Sequence, residues 1–215
     1  MKRVLSAILA TFLFVSASAL PAVSSSWSSV AEKALKSTVS LQVQGNTSSN
    51  FCSGIVIDNE RDYVLTADHC VTAAAERNYY FTVDGHTANA VLRDIPEDLA
   101  ILRVEDLDKP AFKPSRLTLK RGDPIMALGF AYGLTEPQAR ISNVVYPNIN
   151  LNDEWCNSEC IGVAIDHIGG MSGGPVVDKD GRLAGIVQFG DGKTGFGRTI
   201  KVILEHVGRY FEGRK

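Results

Sequence analysis

The sequence Gly-Gly-Met-Ser-Gly-Gly-Pro-Val-Val-Asp occupies residues 169–178 and decides how the rest of the chain is interpreted. Ser172 lies between glycines, so no neighbouring side chain covers its hydroxyl. Gly170 and Gly173 permit a turn with unusual backbone angles, which can direct the amides of residues 170 and 172 at one point. Two such donors stabilise the oxyanion that forms when a nucleophile attacks a carbonyl. The stretch is therefore either a nucleophile turn or a glycine-rich hairpin with an incidental serine.

The same residues also fit Gly-x-Ser-x-Gly, the nucleophile elbow of α/β-hydrolases. That fold needs an acid and then a histidine after the serine. Only His206 follows Ser172, in a predicted terminal helix, and too little chain remains to complete a doubly wound sheet. An esterase or lipase stays an alternative, but the partners of Ser172 are expected upstream.

The N-terminus has the pattern of a secretory signal peptide. Lys2 and Arg3 precede an apolar run at residues 4–15, and Ala17-Ser18-Ala19 is a cleavage site. The run is short for a membrane span, so we predict a signal peptide over residues 1–22 and a secreted or periplasmic protein. Within this segment the cut is expected after Ala19 or after Ala22, and an uncleaved anchor is the alternative. After cleavage, no stable membrane insertion is expected.

The composition gives no indication of a nucleic-acid partner. The chain has 22 basic and 24 acidic residues and a formal net charge of −2 at pH 7. It also has four cysteines, an even number that favours disulfides in an exported protein.

Short apolar runs predict an all-β architecture. Val39, Leu41 and Val43 alternate with polar residues, and further strands are expected at residues 51–58, 63–67 and 99–104. No helical segment is expected between them. Residues 105–116 are predicted to form a linker. Strands are then expected at residues 124–128, 140–146, 160–165, 175–178 and 182–189. A terminal helix with an apolar face follows at residues 200–212, and His206, off that face, is expected to be solvated.

Two residues at strand ends suit a partnership with Ser172. His69 directly follows the strand at 63–67, and Asp98 directly precedes the strand at 99–104. A histidine there can accept the proton of a serine hydroxyl, and a buried aspartate can hold its tautomer. Taken singly, each residue could equally be structural.

The motifs Val64-Leu65-Thr66-Ala67-Asp68-His69-Cys70, Asp98-Leu99-Ala100-Ile101-Leu102 and Gly170-Met171-Ser172-Gly173-Gly174-Pro175 resemble the three catalytic motifs of trypsin-like serine proteases. The resemblance implies two antiparallel six-stranded β-barrels, at about 37–104 and 117–199, with a C-terminal helix within a protease domain at 23–215. It implies a serine endopeptidase with His69, Asp98 and Ser172 as triad and the amides of Gly170 and Ser172 as oxyanion hole. Peptides or proteins would be hydrolysed through an acyl-enzyme, with no metal or cofactor.

The cysteines fit the same resemblance. Cys52 and Cys70 resemble the family's disulfide beside the catalytic histidine. Cys156 and Cys160 form a close pair in a polar loop, which we interpret as a local disulfide. A metal site is the rival there, but two cysteines supply too few ligands.

The resemblance also suggests a specificity pocket. Asp166 stands six residues before Ser172, where trypsins keep the aspartate that selects Arg or Lys before the scissile bond. Gln188-Phe189-Gly190 and Gly195-Phe196-Gly197 resemble the two walls. The alternative is that Asp166 is a surface residue and the preference is for small apolar residues, as in HtrA-like enzymes.

Residues 127–133, Ala-Leu-Gly-Phe-Ala-Tyr-Gly, are similar to a stretch of bacterial HtrA-type proteases. No room is expected for the PDZ domain that those proteases usually carry. The chain also lacks an Ile-Val-Gly-Gly activation segment, and Met171 replaces the aspartate that binds the new terminus in trypsins. A catalytically silent homologue that binds peptides remains a further alternative, and the oligomeric state is not predicted.

Overall fold

The computed structural model of the protein describes residues 26–44, 49–75, 80–153 and 155–212. The predicted signal peptide at residues 1–22 lies outside these residues. Across the described part of the chain, no helix combines the length and the apolar character needed to span a bilayer.

The N-terminal half is a short helix followed by a closed six-stranded antiparallel barrel with the strand order β1-β2-β3-β6-β5-β4. Its elements are α1 (Trp27–Leu35), β1 (Thr38–Gln44), β2 (Ser49–Asp58), β3 (Tyr63–Ala67), α2 (Asp68–Ala75), β4 (Tyr80–Val83), β5 (His86–Asp94) and β6 (Leu99–Val104). Val39, Leu41 and Val43 of β1 are buried in the barrel, as their alternation predicts, while Ser40 and Gln42 are partly exposed.

The C-terminal half is a seven-stranded sheet whose neighbouring strands pair antiparallel, with the order β11-β10-β7-β8-β9-β13-β12. Its elements are β7 (Pro124–Gly129), a 3₁₀ turn (Ala131–Gly133), β8 (Gln138–Ile149), β9 (Cys160–Val163), β10 (Pro175–Val177), β11 (Leu183–Ile186), β12 (Phe189–Gly190), β13 (Gly195–Arg198) and α3 (Ile200–Glu212). A second closed six-stranded barrel is not confirmed. The sheet bends back on itself, and among the described residues a single bridge, between Gly185 and Thr199, joins β11 to the residue after β13.

The prediction that no helix interrupts the first strands is wrong, because α2 follows β3 directly. Asp68 begins this helix with a buried carboxylate. That carboxylate accepts hydrogen bonds from the Arg93 guanidinium at 2.7 and 2.8 Å and from the Thr72 hydroxyl at 2.9 Å. An acidic group at a helix start is favourable for the helix dipole, and here it fixes the first turn, which contains His69.

The predicted terminal helix is present. The expectation that its His206 is solvated is wrong. The His206 side chain is only 12% exposed, and its Nδ1 contacts the Asp94 carboxylate of β5. The face of α3 that carries His206 lies against the barrel. The sequence of α3 alone does not predict this placement.

One apolar cluster joins the barrel, the second sheet and the terminal helix. Its buried members are Ile55, Leu65, Leu99, Ile101, Leu183, Ile186 and Ile203. Because residues from all three parts pack together, the cluster fixes the barrel and the second sheet relative to each other. The end of β3 at Ala67 pairs with the start of β6 at Leu99, and Leu99 belongs to this cluster.

Replacing Ile203 by alanine should lower the free energy of unfolding by about 2–5 kcal/mol, because the substitution leaves a cavity in this cluster. Leu204 is the matched control, since it is the next residue of α3 and 48% exposed. Leu204→Ala should change the free energy of unfolding by about 0.5 kcal/mol or less. Chemical denaturation measures both values, and equal losses would contradict the assigned packing of α3.

Candidate active site

His69 and Asp98 form a hydrogen-bonded pair at one end of the barrel. The ring Nδ1 of His69 lies 2.9 Å from Asp98 Oδ2, and the backbone N–H of His69 donates to Oδ1 at 2.8 Å. Asp98 adopts a left-handed backbone conformation with φ 51° just before β6. The carboxylate favours the tautomer that carries the proton on Nδ1, which leaves Nε2 as a proton acceptor.

Ser172 lies in the turn before β10 and is buried. Its hydroxyl donates to the carbonyl oxygen of Gln188 at 3.0 Å, and Oγ is 3.3 Å from Nε2 of His167. Within the described residues, no hydrogen bond joins Ser172 to His69. Ser172 and His69 line the same cleft of about 430 Å³. The Ser172 hydroxyl must rotate toward this cleft to form a hydrogen bond with His69. Catalytic hydrogen bonds are often incomplete without a substrate.

The glycines around Ser172 are required by close backbone contacts. Gly170 has φ 98° and Gly173 has φ 85°. A Cβ on Gly170 would lie 2.2 Å from the Phe130 carbonyl oxygen, and one on Gly173 would lie 2.1 Å from the Ser53 carbonyl oxygen. Among the described residues, no acceptor is found for the amides of Gly170 and Ser172. Unpaired amides at this turn are what an oxyanion hole needs.

Ser53 of β2 connects the barrel to this turn, and sequence reasoning missed it. Its hydroxyl donates to the Gly170 carbonyl oxygen at 2.7 Å and accepts from the Phe130 amide at 2.9 Å. Its own amide donates to the Ser172 carbonyl oxygen at 2.7 Å. A serine inside a strand carries no motif, so only its position in the fold reveals this contact.

A buried arginine from the second sheet fixes the turn before Asp98. Arg198 of β13 has no exposed side-chain surface, and its Nε lies 2.8 Å from Glu97 Oε2. It also donates to the backbone carbonyl oxygens of Glu97 at 3.1 Å and Pro96 at 3.3 Å. Burial lowers the pKa of Arg198, while the neighbouring Glu97 raises it. Arginine stays charged under these conditions, so the buried charge is paired.

Gln188 contributes a second contact to the same turn. Its side-chain amide nitrogen donates to the carbonyl oxygens of Glu97 at 3.0 Å and Asp98 at 2.5 Å. Because its backbone carbonyl accepts the Ser172 hydroxyl, Gln188 contacts the two ends of the candidate site. The sequence pattern assigned it only to a pocket wall.

The strands predicted to form the pocket walls lie together, but Asp166 is not buried. Gly190 pairs with Gly195, and Phe189 stacks on Phe196 at a ring distance of 5.4 Å. Asp166 is exposed. This exposure argues against a buried pocket floor, and the Arg or Lys preference stays a prediction.

His167, a residue that sequence reasoning did not select, occupies the space between Ser172 and the pocket wall. A Cβ on Gly190 would lie 2.3 Å from the His167 Cβ, so the two segments are in direct contact. The pKa of His167 is lowered, chiefly by burial and further by the neighbouring His69. His167 is therefore neutral over a wider pH range than an exposed histidine.

Both predicted disulfides are present. The pairs are Cys52–Cys70, beside His69, and Cys156–Cys160. The sulfur atoms of the first pair and a His69 ring nitrogen lie within 4.8 Å of one another. Because both sulfurs are in the disulfide, neither is the thiolate that a metal would bind. The Arg198 guanidinium contacts the second disulfide, with its Nη1 2.7 Å from Cys160 Sγ.

Comparison with known proteins identifies related sequences. Residues 52–186 match the family model for the trypsin-like peptidase domain. The serine protease Rv3671c of Mycobacterium tuberculosis is 31% identical over 153 residues, which cover 67% of this chain and 38% of that protein. A probable periplasmic serine endoprotease, DegP-like, of Buchnera aphidicola is 30% identical over 141 residues, 62% of this chain and 29% of that protein. The chain thus spans less than half the length of these relatives.

Solved structures share the fold. The active form of the Rv3671c protease from M. tuberculosis has a TM-score of 0.74 and 26% sequence identity, covering 96% of this chain and 93% of the solved chain. A serine endoprotease from Yersinia pestis has a TM-score of 0.72 at 18% identity, covering 89% of this chain and 68% of the solved chain. At 18% identity, the second similarity concerns the fold alone.

The lowered pKa of His167 should make stability depend on pH. As the pH falls through the ordinary histidine range, the unfolded chain takes up a proton that the folded chain excludes, so the free energy of unfolding falls. His167→Gln removes this difference. Between about pH 7.5 and about pH 5.5, on either side of the ordinary histidine value, the variant should lose less stability than the wild type. His86→Gln, at an exposed site, is the control. Parallel losses in wild type and His167→Gln would contradict the assignment.

Proposed function

The chain belongs to the trypsin-like peptidase family, and from this premise we propose that it is an exported serine endopeptidase. The observation that carries the proposal is the His69–Asp98 hydrogen bond of 2.9 Å beside a cleft that Ser172 also lines. Ser172 is the nucleophile, His69 the general base and acid, and Asp98 orients His69. The substrates are peptides or proteins.

The proposed reaction begins when the Ser172 hydroxyl turns from the Gln188 carbonyl toward His69. Oγ attacks the peptide carbonyl carbon while its proton passes to Nε2 of His69. Asp98 accepts the Nδ1 hydrogen bond and stabilises the positive ring. The carbon–nitrogen bond then breaks, the amine leaves with the proton from His69, and an ester on Ser172 remains. Water hydrolyses this ester by the same proton transfers.

The amides of Gly170 and Ser172 are the proposed oxyanion hole. Neither amide has an acceptor within the described part of the chain, and Gly170 has a positive φ; both observations support this role. Donors that are fixed before the reaction stabilise the developing charge without reorganisation. The Ser53 hydroxyl, which accepts from the Phe130 amide and donates to the Gly170 carbonyl oxygen, supports that fixed geometry.

Export is proposed on three grounds. The sequence at residues 1–22 has the signal-peptide pattern, both cysteine pairs are disulfides, and one relative is named as periplasmic. Disulfides persist in oxidising compartments. The protease domain would then begin near residue 23.

Ser172→Ala should lower peptidase turnover about 10⁴-fold or more, because triad members act as a unit. The same variant should lose covalent labelling by a fluorophosphonate probe while remaining folded by circular dichroism. Ser28→Ala, on the exposed surface of α1, should label like the wild type. Absence of labelling in the wild type would favour a silent, peptide-binding homologue. Turnover of short fatty-acyl esters without peptide cleavage would favour an esterase.

The Arg or Lys preference that the resemblance suggests is tested by Asp166→Ser. If Asp166 compensated a buried substrate charge, its loss would cost about 3–5 kcal/mol, more than a hundredfold in rate. Because Asp166 is exposed, we expect a much smaller change, measured as kcat/KM on peptides that differ only in the residue before the scissile bond. A hundredfold loss confined to Arg and Lys substrates would establish the trypsin-like preference.

A further inference from the structure

The cleft beside Ser172 contains two exposed aromatic rings. Phe51 is 37% exposed and Tyr132 is 74% exposed. The residues that line the cleft are Asn50, Phe51, Cys52, His69, Cys70, Tyr132, Gly169, Gly170 and Ser172. This set includes no lysine, arginine, aspartate or glutamate. We call this space the leaving-group cleft, for the reason given below.

The two aromatic residues are fixed in place by the nucleophile turn and its neighbour. The Phe51 ring lies on Gly133, where a Cβ would be 2.5 Å from the ring. Tyr132 has the left-handed φ of 57°, which is uncommon for an aromatic residue. Its amide donates to the Gly169 carbonyl oxygen at 2.7 Å. The backbone of Tyr132 is therefore hydrogen-bonded to the residue that precedes Gly170, and the Phe51 ring packs on the residue that follows Tyr132.

The position of His69 shows which part of a substrate enters this cleft. The leaving amine must lie next to the histidine that gives it a proton, and His69 lines the cleft. Segment 188–190 is not among the residues that line the cleft, and the Ser172 hydroxyl contacts that segment through the Gln188 carbonyl. The acyl part of the substrate is thus directed toward Gln188 and the amine part toward the aromatic rings.

We propose that the leaving-group cleft binds the residue that follows the scissile bond and selects a large apolar or aromatic side chain there. The inference rests on the proposed function and names the substrate class for this side of the site. Burying such a side chain against Phe51 and Tyr132 is favourable. A charged side chain would lose water without meeting a counter-ion among the lining residues.

The preference for the residue that follows the scissile bond can be measured on the acyl-enzyme. This measurement does not depend on which residue the enzyme prefers before the scissile bond. p-Nitrophenyl acetate transfers its acetyl group to Ser172 and releases p-nitrophenol. Water and an added amino-acid amide then compete for the acetyl-enzyme. In the second case the amine nitrogen forms the new amide bond, the ester to Oγ breaks, and the amine proton returns through His69 to Oγ. The ratio of N-acetyl amide to acetate, at about pH 9 where these amines are largely neutral, gives the selectivity.

Leucinamide and phenylalaninamide should each exceed glycinamide about tenfold in this ratio, since partial burial of a large apolar side chain is worth that factor. Argininamide and the α-amide of glutamate should fall below leucinamide. Ser172→Ala measures the uncatalysed reaction between ester and amine, which is subtracted.

Two substitutions and one control locate the selectivity. Tyr132→Ala and Phe51→Ala should each bring leucinamide close to glycinamide, whereas Tyr132→Phe should retain the preference because it keeps the ring. Leu134→Ala is the matched control. Leu134 is an exposed apolar residue in the same loop that does not line the cleft, and its loss should leave the ratios unchanged.

The outcomes separate this inference from the proposed function. If acetyl-enzyme forms but all amides react equally, or argininamide reacts best, the inference is overturned and the proposed function stands. If Tyr132→Ala and Phe51→Ala both keep the wild-type preference, the aromatic rings are not its source and the inference also fails. If no acetyl-enzyme forms on Ser172, the proposed function fails and the inference fails with it.

Discussion

The buried ion pair between Arg198 and Glu97 connects the two halves of the candidate site. Arg198 belongs to the second sheet, whereas Glu97 precedes Asp98 in the barrel, and their charged atoms lie 2.8 Å apart. Removing one partner of such a pair leaves an uncompensated buried charge, which typically costs about 3–5 kcal/mol. The backbone of the turn also receives hydrogen bonds from Arg198 and Gln188. The orientation of Asp98, and through it of His69, therefore depends on the second sheet.

A reciprocal contact fixes the turn at Gly170 and Ser172 to the barrel. Ser53 of β2 contacts both Gly170 and Phe130, and the glycines let the two backbones approach closely. The barrel thus helps to position the turn at Ser172, which belongs to the second half of the chain. The second sheet in return helps to position the turn at Asp98, which belongs to the barrel. Such reciprocal support suits preorganised catalysis, in which hydrogen-bond donors must be in place before charge develops.

The hydroxyl of Ser172 contacts Gln188 and His167 and turns from them in the proposed reaction. His167 also lies directly against Gly190, so the segment predicted to receive the residue before the scissile bond is closely packed. The leaving-group cleft, by contrast, is open to Ser172 and His69. The open side of the site is therefore the one lined by Phe51 and Tyr132.

Local alternation in the sequence predicted several strands of the barrel and the terminal helix. The three motifs, through their resemblance to trypsin-like proteases, predicted the family and the Cys52–Cys70 disulfide, and the close spacing of Cys156 and Cys160 predicted the second disulfide. The sequence did not predict α2, the burial of His206 or the open second sheet. Arg198 and Ser53 belong to no motif, and each acquires its contacts from residues far away in the chain. His167 also belongs to no motif, and its packing against Gly190 depends on how two separate segments meet. Spacing placed Asp166 beneath the pocket, but the path of its loop leaves it exposed. Only tertiary structure decided these features, because burial, ion pairing and close backbone contact arise between segments whose separation in sequence does not encode their separation in space.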